Sequence, residues 1–280
     1  MSDQQGEMSF WDHLEELRWT ILRCVIALVV FTIGSFILLD NYWDLIILGP
    51  KFPDFITYRL FCNVSKLMSF LPDFCDTTKN IHVFSYNLTS KFFTHMSTSF
   101  WMALLLTFPY LVFEVWKFVS PALYPNEKKS VRWVFSFGTV MFFIGCAVGY
   151  FLVFPLSLRF LVYYDISDVL EDQVALESYI DSFLLLIFIM GVCFELPLLS
   201  WLLSQVGLLK RSFFKRFRRH AFVTLLIIAA LITPGGDPFT LTIVFLPLYG
   251  LYELSAIFVK KDKAEEEEEE KTDIAAYGKK

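Results

Sequence analysis

Charge is scarce in this chain of 280 residues, of which 19% are Asp, Glu, Lys or Arg, against about 25% in soluble domains. Also missing are a Gly-rich phosphate loop, His and Cys at metal-ligand spacing, and a Ser, His and Asp set that the topology could gather. His13 and His220 fall on one side of the expected membrane and His82 and His95 on the other, so no shared metal site is expected. No cofactor and no catalytic residue are assigned, and an enzyme is not expected. The N-terminal flank lacks the basic residues of a signal or transit peptide and carries Asp3, Glu7, Asp12, Glu15 and Glu16 instead. The first apolar segment is therefore expected to stay attached. The formal net charge of −5 owes much to the glutamates 265–270, so it describes a tail and implies no nucleic-acid partner.

What is present is apolar: 56% of the residues are hydrophobic. Runs of membrane-spanning character occur at 19–39, 92–116, 131–154, 182–203, 221–232 and 239–259, where a spanning helix needs about 20 residues. They predict an all-α polytopic membrane protein with six transmembrane helices, a single domain over 1–259, and an acidic, disordered cytoplasmic tail over 260–280. The basic residues cluster after the second run (Lys117, Lys128, Lys129, Arg132) and after the fourth (Lys210, Arg211, Lys215, Arg216, Arg218, Arg219). Arg159 stands in the connection after the third. The positive-inside bias puts both basic connections, and hence both termini, in the cytoplasm.

Of the five cysteines, Cys24, Cys146 and Cys193 fall inside spans, while Cys62 and Cys75 fall in the long exported loop 40–91. Only that loop faces an oxidising space. A Cys62–Cys75 disulfide is expected, closing a loop of about 14 residues and contributing roughly 3 kcal/mol; the alternative is two free thiols.

Residues 9–19 predict a helix on the cytoplasmic surface, with Ser9 and Asp12 spaced as a capping box and Phe10, Leu14, Leu17 and Ile21 on one stripe. Asp12, Glu15 and Glu16 share the other face, which suits a cationic partner or is an ordinary solvated face. In the next cytoplasmic connection Glu127 stands alone among bases, and by itself reads as a surface ion pair worth under about 1 kcal/mol. Glu195 lies near the middle of the fourth span, where a charged group costs roughly 2.5–3.5 kcal/mol, so it should face protein and not lipid. Pro197 removes the helical donor for the Cys193 carbonyl and predicts a bend beside that carboxyl. The last two spans look short, one covering 221–232 and the other interrupted by Pro247, which predicts local membrane thinning or helix association. Thr233-Pro-Gly-Gly-Asp-Pro238 between them reads as a tight exported turn with Asp237 at its tip.

His13-Leu-Glu-Glu-Leu-Arg18, Ser120-Pro-Ala-Leu-Tyr-Pro-Asn-Glu127, Gly149-Tyr-Phe-Leu-Val-Phe-Pro155, Phe194-Glu-Leu-Pro197 and Leu231-Ile-Thr-Pro234 with Asp237 occur in this order. Together they resemble TatC, the multi-spanning receptor family of the twin-arginine protein translocase, over all but the acidic tail. The resemblance implies a bacterial inner-membrane protein that binds twin-arginine signal peptides and organises TatA and TatB type single-span subunits, and other copies of itself, in the lipid bilayer. Folded proteins would then be exported with the proton motive force. It implies signal binding by Glu16 and Glu127, with Glu15 assisting and Arg18 and Phe118 near the same surface. It further implies a concave polar face around Glu195 and partner helices along the fifth and sixth spans near Thr233 and Asp237. Leu241 departs from the family, which commonly has glutamine there, and leaves Thr240 or Thr242 to replace the polar contact. The competing reading is a secondary transporter working through Glu195, although the repeated halves usual in transporters are not apparent.

Overall fold

The computed structural model describes residues 10–65, 81–119, 128–163, 173–205, 209–233 and 236–259. The acidic tail 260–280, Cys75, Glu127 and the Ser9 cap lie outside these residues. In chain order the elements are α1 (Phe10–Tyr42), α2 (Ile56–Ser65), β1 (His82–Phe84), α3 (Ser90–Val119), α4 (Lys128–Val148), α5 (Phe154–Tyr163), β2 (Gln173–Ala175), α6 (Leu176–Cys193), α7 (Leu196–Gln205), α8 (Arg211–Ile232) and α9 (Pro238–Phe258). Among the described residues five helical stretches are long and apolar enough to cross a membrane, α8 not being one of them. The basic first half of α8 leaves only Ala221 onward as an apolar segment. The chain forms two compact units.

The first unit comprises Met1–Phe52, Asn80–Val140 and Gln173–Leu184. Its α1 is one helix of 33 residues, so the expected surface helix and the first span are a single element. No proline interrupts it, and its only glycine, Gly34, lies deep in the span, so no residue ends the helix at the membrane surface. Along α3 the hydroxyl residues Thr94, Thr98, Ser99 and Thr107 are buried, as are Thr20 and Ser35 of α1, and small residues of this kind let spanning helices approach closely. Thr98 and Ser99 return their hydroxyls to the Thr94 and His95 carbonyls at 2.7 Å, which satisfies them without a partner helix. At the exported end His95 lies 3.5 Å from the Asp40 carboxylate against the rings of Phe36 and Trp43. The Tyr179 hydroxyl donates to the Ile47 carbonyl at 2.9 Å. A parallel pair, His82 with Gln173 through Phe84 with Ala175, adds two short strands that the sequence did not announce.

The second unit comprises Pro53–Lys79, Met141–Asp172 and Leu185–Lys280. Here the third span does not end at residue 154: after a π-turn at Gly149–Val153 it continues as α5 to Tyr163. Pro155 cannot donate to the carbonyl four residues back, and the hydroxyl of Thr57 donates to that Phe151 oxygen in its place. Arg159, expected in a connection, is therefore a buried residue of α5, its guanidinium 4.5 Å from the centre of the Tyr58 ring. Helix α4 and the π-turn after it meet α6 at glycines: a Cβ on Gly145 would stand 2.6 Å from the Met190 carbonyl, and one on Gly149 2.8 Å from the Ile187 Cα.

The predicted bend in the fourth span is a two-residue turn at Phe194 and Glu195, with α6 ending at Cys193 and α7 starting at Leu196. Pro197 thereby falls in the first turn of α7, where a missing N–H costs nothing. The last span is not short: α9 runs unbroken through Pro247 for 21 residues, about 31 Å at 1.5 Å per residue. Proline is tolerated inside a spanning helix when neighbouring groups satisfy the freed backbone, so the length mismatch is confined to the apolar part of α8. Between α8 and α9 the Tyr252 hydroxyl donates to the Phe214 carbonyl at 2.8 Å, and Arg218 pairs with Glu253 at 2.5 Å.

Candidate functional site

Glu16, Thr20 and Arg23 follow one another at helical intervals of four and three, so α1 presents them on one face. The neighbouring α3 supplies Tyr110 and Glu114, again four residues apart and on one face. Arg23 Nε donates to Glu114 Oε2 at 2.9 Å, and its Nη2 donates to the Thr20 hydroxyl at 3.1 Å. The Tyr110 hydroxyl donates to the other Glu114 oxygen at 3.0 Å. Both carboxylate oxygens of Glu114 are thus satisfied, as a side chain only 5% exposed requires. Glu16 is held more loosely: its Oε1 lies 3.9 Å from Arg23 Nη2 and its side chain is 36% exposed.

One turn before Glu16, His13 stacks on Phe118 with ring centroids 4.4 Å apart and planes 19° from parallel. That contact ties the start of α1 to the end of α3. Glu15 and Arg18 are exposed beside Glu16. Of the residues expected at the cytoplasmic face, the described structure brings Glu16 and Phe118 onto adjoining helix ends, leaves Glu15 and Arg18 in solvent, and does not include Glu127. Arg23, Glu114 and Tyr110 were missed. The available signal was a carboxylate inside the run 92–116 and an arginine inside the run 19–39, since charges within a span mark pairs or sites.

The other expected positions lie in the second unit. Glu195 sits in the turn between α6 and α7, where its backbone N–H bonds to Val192 and its carbonyl accepts from Leu199 at 2.9 Å. Among the described residues its buried Oε1 has no hydrogen-bond partner. Thr233 caps the end of α8, its N–H reaching Ala229 at 2.9 Å. Asp237 is the N-cap of α9 and accepts from the Thr240 N–H at 2.7 Å, ahead of a proline at the first helical position. Its role in the turn is thus structural at least. Thr242 is exposed, with its hydroxyl donated to Pro238 at 2.7 Å, and Thr240 is buried. Cys62 is disulfide-bonded and Cys24, Cys146 and Cys193 are free.

Chemically, the α1 and α3 ends offer a carboxylate with spare acceptor capacity next to an aromatic stack. A guanidinium matches such a carboxylate with two parallel, charge-assisted bonds, which an ammonium cannot reproduce.

Residues 12–247 match the protein family described as Sec-independent protein translocase protein (TatC). The Sec-independent protein translocase protein TatC of Blattabacterium sp. subsp. Periplaneta americana (strain BPLAN) is 35% identical over 276 residues, 94% of this chain and 100% of its own length. That of Campylobacter jejuni subsp. jejuni serotype O:2 is 31% identical over 249 residues, 89% of this chain and 92% of its own. A crystal structure of the twin-arginine translocase receptor TatC in DDM shares the fold, with a TM-score of 0.70, 24% identity, and coverage of 89% of this chain and 99% of that one.

Proposed function

The chain belongs to the TatC family of Sec-independent protein translocase proteins, multi-pass components of the inner membrane, and from that premise we propose that it is the subunit that receives twin-arginine signal peptides. Glu16 and Glu127 take the two arginines, Glu15 adds negative potential, and Arg18 and Phe118 border the same surface. The observation that carries this reading is the state of Glu16, a partly exposed carboxylate whose one ion pair among the described residues is at 3.9 Å, on the helix end braced by the His13 and Phe118 stack. It has the acceptor capacity that an incoming guanidinium requires.

TatA and TatB type subunits, and further copies of the chain, assemble on the membrane-embedded surface, with α8 and α9 as the docking helices. Their exposed apolar residues, Leu231, Leu246 and Ile257 among them, and the polar turn of Thr233 and Asp237 support this assignment. Glu195 supplies a polar group at the α6–α7 turn, and the bonded Cys62 takes Cys75 as its partner. The whole exports folded proteins at the expense of the proton motive force.

Charge reversal tests the receptor assignment. Glu16→Lys and Glu127→Lys should each stop export of a folded passenger bearing an Arg-Arg signal while general secretory export continues. Unchanged export by both variants would remove these residues from the binding site.

A further inference from the structure

Arg23 poses a difficulty for a site that must bind arginine. A guanidinium already lies within 4 Å of Glu16, and an arginine anchored on the same helix is present at a far higher effective concentration than any ligand. Left free, Arg23 would fold onto Glu16 and fill it. What prevents this is on α3: Arg23 spends its Nε on Glu114 at 2.9 Å and its Nη2 on Thr20 at 3.1 Å. The contact to Glu16 is left at 3.9 Å, beyond hydrogen-bond reach.

We propose that Glu114 is a positioning residue for signal recognition: by holding Arg23 away from Glu16, it keeps the Glu16 carboxylate open to an arginine from outside. The inference rests on the assignment of Glu16 as a signal ligand and deepens it. The charge count supports it, since Glu16, Arg23 and Glu114 together carry one net negative charge, which an incoming cation neutralises. Tyr110 donates to the second oxygen of Glu114 at 3.0 Å, which opposes rotation of the carboxylate away from Arg23. Burial completes the arrangement. Glu114 at 5% side-chain exposure is screened from solvent, whereas Glu16 is open to it, so the stronger claim on Arg23 belongs to the residue that the ligand cannot reach.

The test is peptide binding to the full-length protein in lipid nanodiscs. Fluorescence anisotropy is followed with a synthetic peptide that carries Arg-Arg before an apolar run, and with its Lys-Lys counterpart. Glu114→Gln frees Arg23 and removes the net charge, so Arg-Arg binding should weaken roughly tenfold, or about 1.4 kcal/mol. The Arg-Arg over Lys-Lys preference should shrink with it. The double variant R23Q/E114Q restores the net negative charge without a competing guanidinium and should bind the Arg-Arg peptide within about threefold of the unaltered protein.

Equal loss in the single and double variants, or no change in E114Q, overturns the proposal and leaves Glu114 as a brace between helices. If E114Q does not fold, the double variant decides: binding that persists and is still abolished by adding Glu16→Gln supports the proposal, and lost binding overturns it. Glu16→Gln in the unaltered background separates the two levels. If it leaves binding intact, the receptor assignment of Glu16 fails; if it weakens binding while E114Q does not, only the role of Glu114 fails.

Discussion

The hydroxyl of Thr57 donates to the carbonyl of Phe151, four residues before Pro155, which has no N–H to offer it. A residue from the exported loop thus completes the backbone of a spanning helix, and Tyr58 adds a second bond from its hydroxyl to the Pro155 carbonyl at 3.3 Å. In hydrocarbon an unsatisfied carbonyl is costly, so this pair lets α5 continue past a proline.

Thr57→Val keeps the shape and removes the donor. It should destabilise the protein by about 1 kcal/mol, the usual worth of a side-chain hydrogen bond within a membrane, read as an earlier unfolding midpoint in a denaturing-detergent titration. Thr57→Ser should retain most of the stability, and equal loss in both variants would assign the effect to packing instead.

Glycine replacements separate the crossing of α4 and α6 from an open position. Gly145→Ala brings a methyl to 2.6 Å from the Met190 carbonyl, a backbone atom that cannot step aside, and should cost about 1–3 kcal/mol as overpacking does. Gly34→Ala, with nothing within 4 Å, should leave the thermal midpoint unchanged or slightly higher.

Asp237 has a capping role and a proposed partner role, and two substitutions divide them. Asp237→Asn keeps an oxygen for the Thr240 N–H and should keep stability, whereas Asp237→Ala should lose about 1 kcal/mol with the cap. Export that fails in the asparagine variant at normal stability identifies a need for the charge itself.

Cys62 should resist alkylation by a membrane-impermeant maleimide until reductant is added, while Cys62→Ser should expose Cys75 to the same reagent. Labelling of both residues in the unreduced protein would contradict the proposed bridge.

The order of spans was legible because hydropathy acts over many residues at once. Glu195 with Pro197 was legible for a different reason: one carboxylate and one proline, close together in an apolar run, leave few local solutions. The same proline logic misled at 247, and the run taken to end at 154 continues through Pro155, since a proline says that a carbonyl loses its donor and not whether another group replaces it. Thr57 is nearly a hundred residues away from Phe151 along the chain, beyond the reach of any local pattern. Glu114 escaped attention because a window average absorbs a single charge, and its partner Arg23 lies on another helix. The three-residue strands β1 and β2 are too short to show a period of two.

With no break between Phe10 and Tyr42, the acidic segment of α1 has no joint where it leaves the bilayer. Glu16 stands as a fixed post whose tilt is that of the span beneath it, so on the proposed receptor role a signal peptide would meet a rigid landmark. Differences in length or sequence around its arginines must be taken up by the peptide, because this helix has no means of bending to meet them.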